Sequence, residues 1–143
     1  MATTGVSGHG DTTAASLLRA GEREISVVIS DPSLPDNPLI FVSEEFERQT
    51  GYPAAEALGR NCRFLQGPGT DPKAVAAIHA ALDAGTEITV DILNYRRDGR
   101  AFWNRLRIRP LLDASGNIRY FAGAQNPIDE DDVLPGPVDA IFD

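Results

Sequence analysis

Cysteine is nearly absent from this chain: Cys62 is the only one in 143 residues. One thiol cannot close an internal disulfide, so the fold must rest on a hydrophobic core, and a chain of this length can bury one as a single domain. Histidine is scarce too. His9 and His79 are the only two, and with one cysteine they fall short of a zinc ligand set, so no metal site is expected. Long apolar runs are missing, none approaching the roughly 20 residues of a membrane-spanning helix. The opening MATTGVSGHG has neither a basic lead nor an apolar stretch, so it carries no secretory or mitochondrial address and the cytoplasm is the expected compartment. Basic residues are in deficit, 13 against 21 acidic ones, and a formal charge of −8 would repel a phosphate backbone. Neither nucleic acid nor membrane is an expected partner.

What is present divides the chain in two by period. After the small, Gly-rich start, DTTAASLLRAGERE reads as a short helix capped by Asp11 and ended by Gly21. ISVVIS and LIFV are short β-branched strands separated by DPSLPDNP, whose three prolines require a loop. Ser43 caps a helix over EEFERQT, and Pro53 with Gly59 brackets a second over PAAEAL. A longer helix starts at Thr70 or Asp71, places Val75, Ile78 and Leu82 on one face and ends at Gly85. Then alternation takes over. Ile88, Val90, Ile92 and Asn94 share one parity of a strand whose other parity holds Glu87, Thr89 and Asp91. Asp98-Gly99 makes a tight turn, and AFWNRLRIR returns with Phe102, Asn104, Leu106 and Ile108 inward and Arg105, Arg107 and Arg109 outward. IRYFAGAQ completes an antiparallel meander, so the class is α+β.

Parity puts two amides, Asn94 and Asn104, among aliphatic neighbours, where an unpaired polar group costs roughly 1–3 kcal/mol. Either they bond each other or a nearby loop, or they form the edge of a ligand site. An amide offers donor and acceptor together, as suits a heterocycle that alternates carbonyl and ring N–H groups. Gln125 on the last strand adds a third amide, and Gly123 lets a flat ring approach the backbone.

GRNCRFLQG, residues 59–67, resembles the signature of light-oxygen-voltage (LOV) domains, the flavin-binding branch of the PAS fold. The similarity runs from about Glu24 to Gln125 through DPSLPDNPLIFVSEEF, TGY, NCRFLQGPGTD, NYRRDGRAFWN and YFAGAQ. It implies a five-stranded antiparallel sheet with short helices on one face enclosing a flavin, usually FMN, over 24–126. Residues 1–23 would then be a flexible start with a cap helix, and 127–143 a short acidic tail. The implied function is blue-light reception by a reversible, light-driven bond between Cys62 and the flavin C(4a), with Gln125 reorienting its amide to pass the change to the sheet surface. By the same resemblance Asn94 and Asn104 hold the pyrimidine edge, Asn37, Asn61 and Gln66 meet the ribityl chain and nearby polar edge, and Arg63 pairs with the phosphate. Val28, Ser30, Leu65, Leu82, Leu106, Ile108, Phe121 and Gly123 wall the ring.

Two positions depart from the family pattern. His79 stands on the long helix where many members carry a second phosphate-binding arginine, which leaves riboflavin, a flavin without phosphate, as an alternative ligand. Gln49 stands where relatives have an apolar residue: its amide either turns out to water or modulates dark recovery through a hydrogen bond or a recruited water. The tail NPIDEDDVLPGPVDAIFD carries no long amphipathic helix and no effector is read there, so the chain is expected to be a sensor rather than an enzyme. The signal would leave through the outer sheet face, with Trp103, Ile118 and Tyr120, or through Leu17 and Leu18 of the leading helix, toward a homodimer partner or a downstream protein. The rivals are a PAS module that senses another small molecule or only dimerises, and a flavin-dependent redox enzyme using Cys62. The cysteine motif argues against the first. The second lacks a resolving cysteine and a nicotinamide fingerprint.

Overall fold

The computed structural model of the chain describes residues 25–136. The leading helix expected from Asp11 to Gly21, with Leu17 and Leu18, lies outside the described residues. Five strands form one antiparallel sheet: β1 (Ser26–Ser30), β2 (Leu39–Val42), β3 (Ile88–Tyr95), β4 (Ala101–Leu112) and β5 (Ile118–Ile128), in the order β2-β1-β5-β4-β3. Three helices join the two halves: α1 (Glu44–Thr50), α2 (Ala54–Ala57) and α3 (Pro72–Ala84), with a 3-10 turn over Cys62–Leu65 between α2 and α3.

The caps explain the boundaries. Ser43 Oγ accepts from Phe46 N at 3.3 Å to start α1, and it also accepts from Val27 N at 3.0 Å, tying the helix to β1. Asp71 caps α3 through Lys73 N at 2.9 Å. Thr70, the other candidate, is used elsewhere: its Oγ1 accepts from Gly67 N and donates to Leu93 O. Gly85, at φ 68°, ends α3 in the left-handed conformation that glycine adopts at least cost.

Three strand expectations are corrected. β4 and β5 run on through Pro110 and Pro127, past the ends expected at Arg109 and Gln125. Proline lacks a ladder donor. However, β3 pairs with β4 only as far as Ile108, and β1 with β5 only between Gln125 and Phe121, so each proline has one side without a strand neighbour. Thr89 and Asp91, on the parity expected to face water, are buried. Asp91 accepts two hydrogen bonds from Arg105, each 2.8 Å, and one from Leu134 N at 2.9 Å, so residues 129–136 lie against that part of the outer face. Ile118 does not share the outer face with Trp103 and Tyr120. The ladder slips by one residue between Leu111↔Tyr120 and Leu112↔Ile118, and Ile118 Cδ1 lies against Gly85 at the end of α3.

The core is split. Val28, Leu39, Phe46, Ala57 and Leu65 form one buried cluster, and Ile78, Ala81, Ile88, Val90 and Ile92 form another. Members of both face the same central space.

Candidate functional site

That space is a cavity that opens to solvent, about 810 Å³ of empty space with its open mouth counted. Its sheet wall comes from Val28, Ser30, Leu106, Ile108, Phe121 and Gly123, and the opposite wall from Cys62 and Leu65 of the 3-10 turn and Leu82 of α3. Gly123 keeps this wall thin: a Cβ there would stand 2.9 Å from Val28 Cγ2.

The turn that carries Cys62 is fixed at both ends. Asn61 Oδ1 accepts from Arg63 N at 3.0 Å, its Nδ2 donates to Asp36 O at 2.8 Å, and Leu65 is almost fully buried. Cys62 is half-buried, free of any disulfide and lines the cavity. Burial pushes its thiol up to about 12 from 9.0. The sulfur therefore keeps its proton at neutral pH and is a poor nucleophile until something changes.

Across the cavity stands the amide group. Asn104 is fully buried, and its Nδ2 donates to Asn94 Oδ1 at 2.9 Å and to Gln125 Oε1 at 3.2 Å. Three strands, β3, β4 and β5, are thus joined by one side-chain amine. Asn94 and Gln125 line the cavity, whereas Asn104 is set off the wall and grips both. The two asparagines thus bond each other, one of the two arrangements open from parity. Asn104 Oδ1 and Gln125 Nε2 are buried without a hydrogen-bond partner among the described residues. Buried polar atoms are seldom left so. An acceptor and a donor remain for a planar group that presents both.

At the mouth, Asn37, Asn61, Arg63, Gln66 and His79 all line the cavity. Asn37 Oδ1 is another buried atom without a partner among the described residues. Asp36 and Asn37 both take left-handed backbone, φ 69° and 49°, which their short polar side chains tolerate. Arg63 Nη2 pairs with the Asp36 carboxylate.

Of the two placements open for Gln49, burial favours the inward one. At 6% exposure its amide does not turn out to water, and the residue does not line the cavity; its backbone oxygen accepts from Arg96 Nη1 at 2.6 Å. Leu39, Ile78, Ile92 and Ala122 also line the cavity. Their pattern was visible in the sequence, but an apolar residue at core spacing looks the same whether it faces a neighbour or a ligand. Ser26 does not line the cavity but lies beside it in the sheet. It pairs in register with Gln125, is fully buried, and shares the parity of Val28 and Ser30.

The model for the PAS domain matches residues 24–128. A blue-light-activated histidine kinase of Brucella anthropi is 52% identical over 99 residues, 69% of this chain and 20% of the kinase, and that of Brucella ovis is 50% identical over the same shares. The chain thus spans about a fifth of the length of these curated relatives. Among solved structures, the light state of the Aureochrome1 LOV blue-light photoreceptor superposes with a TM-score of 0.73 at 49% identity, covering 74% of this chain and 83% of that one. A light-oxygen-voltage domain from work on a flavin analogue and domain mechanism gives 0.78 at 46% identity, covering 89% and 90%. The LOV domain of an Erythrobacter litoralis blue-light activated histidine kinase gives 0.71 at 45% identity, covering 74% and 97%.

Proposed function

The chain belongs to the light-oxygen-voltage branch of the PAS domain family, and from that premise we propose that it is a blue-light sensor whose cavity holds one flavin and whose responding residue is Cys62. The observation that carries this reading is the pairing of a sheltered thiol on one wall with a leftover donor, Gln125 Nε2, on the other, and a leftover acceptor, Asn104 Oδ1, set behind it. Asn94 and Gln125 would take the polar edge of the ring with Asn104 Oδ1 completing the set, Gly123 would admit its flat face, and Asn37, Asn61 and Gln66 would meet the ribityl hydroxyls. When bound, the flavin supplies absorption of blue light and, once excited, an electrophilic carbon to which a thiol adds reversibly.

The protein's own part is positional. Cys62 holds its proton at Sγ in the dark, so the site stays quiet without light. Gln125 carries both a donor and an acceptor on one rotatable amide, and its Oε1 is already held by Asn104, so turning the amide would exchange that contact for another. β5 lies between β1 and β4, and a change at Gln125 reaches both neighbours. The signal would leave by the outer face around Trp103 and Tyr120, toward a second copy or a downstream protein.

FMN is the fuller match because Arg63 stands at the mouth, while riboflavin would share every contact but that one. Flavin titration tests the reading: the full chain, stripped and resupplied with FMN, should quench flavin fluorescence with one equivalent bound, and no quenching would refute it.

A further inference from the structure

Resting on the flavin reading, one feature of the wall opposite the sheet bears on how a flavin enters and leaves. The Cys62 turn packs with the buried cluster of Leu39 and Phe46, and α3 with that of Val90 and Ile92. Among the described residues no buried cluster spans the two, so this wall has a seam, and the loop of residues 66–71 joins its sides. That loop is fastened to β3. Thr70 Oγ1 accepts from Gly67 N at 3.0 Å and donates to Leu93 O at 2.7 Å, while Tyr95 Oη accepts from Gly69 N at 2.7 Å. The fit is close: a Cβ on Gly67 would stand 2.5 Å from two Tyr95 ring carbons, and one on Gly69 2.8 Å from Leu93 Cδ2 and Tyr95 Oη. Neither glycine has a positive φ, so the close approach is what requires them.

Gly67, Gly69, Thr70 and Tyr95 do not line the cavity. They act through what they hold: Gln66 at the mouth, α3 beyond the loop, and Asn94 between Leu93 and Tyr95, whose Nδ2 donates to the same Leu93 O at 3.3 Å. A loop with two glycines has wide conformational freedom once its fastenings are broken. We propose that residues 66–71 are the gate for flavin exchange and that Tyr95 and Thr70 are its latch, positioning residues that set how fast the site fills and empties without touching the flavin. The latch lies outside the cavity, so opening it costs the same whether the site is filled or empty. Weakening it should speed entry and exit by one common factor and leave affinity unchanged.

The test uses FMN and the full chain in the dark. Entry is read by stopped-flow quenching of FMN fluorescence on mixing with the flavin-stripped chain, and exit by the fluorescence rise after dilution of the loaded chain. Tyr95→Phe keeps the ring and loses the acceptor; Thr70→Val keeps the shape and loses the hydroxyl. Each should speed both rates about three- to tenfold, as loss of a hydrogen bond allows, with dissociation constants within about threefold of the parent's. Gly67→Ala, whose methyl meets the rigid ring, should speed both rates too, and adding it to Tyr95→Leu should give less than the product of the two single effects, as for two halves of one contact. Rates unaltered in both Tyr95→Phe and Thr70→Val overturn the proposal while the flavin site stands. So does a loss of affinity through faster exit alone, which marks a slackened site and not a gate. A parent chain that takes up no FMN removes the flavin reading, and the gate with it.

Discussion

Asn104 on β4 donates from one amine to Asn94 on β3 at 2.9 Å and to Gln125 on β5 at 3.2 Å. This bracket spans three strands inside a buried layer, so it serves both stability and the set of polar groups turned toward the cavity. Asn104→Ala would leave Asn94 Oδ1 and Gln125 Oε1 without that donor. A loss of roughly 1–3 kcal/mol is expected in chemical denaturation of the flavin-free chain, together with weaker flavin binding. Unchanged stability and affinity would mean that the bracket does no more than fill space.

The thiol makes a separate prediction. With burial pushing Cys62 up to about 12, its thiolate fraction at pH 8 should be well below that of an ordinary cysteine, and alkylation of the folded chain in the dark should be clearly slower than in denaturant. Labelling followed by mass spectrometry reads this directly. Equal rates in the two states would show an unprotected thiol.

Asp91 links pH to the outer face. Burial pushes its carboxyl up, but the Arg105 hydrogen bonds, the Leu134 N–H and the Arg105 charge outweigh that and hold it below the usual carboxylate range. A depressed folded value contributes stability above the unfolded one of 3.8, and this is lost as pH falls through the folded value. Asp91→Asn should therefore destabilise the chain at pH 7, and the difference from the parent should shrink as pH falls through the folded value of Asp91. It should also speed hydrogen exchange at Leu134 N–H, whose acceptor is Asp91 Oδ2. A loss independent of pH would contradict the linkage.

Gln49 is buried in the inner layer although it does not line the cavity. If its amide assists proton return after illumination, Gln49→Leu should lengthen dark recovery severalfold, as loss of general-base assistance would. An unchanged lifetime would assign the residue a packing role alone.

The inward parity of Asn94 and Asn104 was legible in the sequence because a strand has a period of two, and the caps Ser43 and Gly85, with Asp71 as one of two candidates, because each satisfies backbone groups at a helix end. What stayed hidden depended on partners distant in the chain. Pro110 and Pro127 looked like strand ends, and only the staggered ends of β1 and β3 leave them without a neighbour to pair. Asp91 looked solvated until Arg105 and Leu134 closed over it. Ile118 changed faces through a one-residue slip that no local pattern announces. At the site, the motif residues could be named in advance, whereas the set-back position of Asn104 and the Asp36 carboxylate at Arg63 required the packed structure.

The most direct test of the central claim is the absorption spectrum of the flavin-loaded full chain before, during and after blue illumination. Cys62 as the responding residue predicts that the flavin band bleaches in the light and returns in darkness, and that Cys62→Ala keeps the band but loses the bleaching. A bound flavin whose spectrum light leaves unchanged, or a Cys62→Ala chain that still cycles, would contradict it.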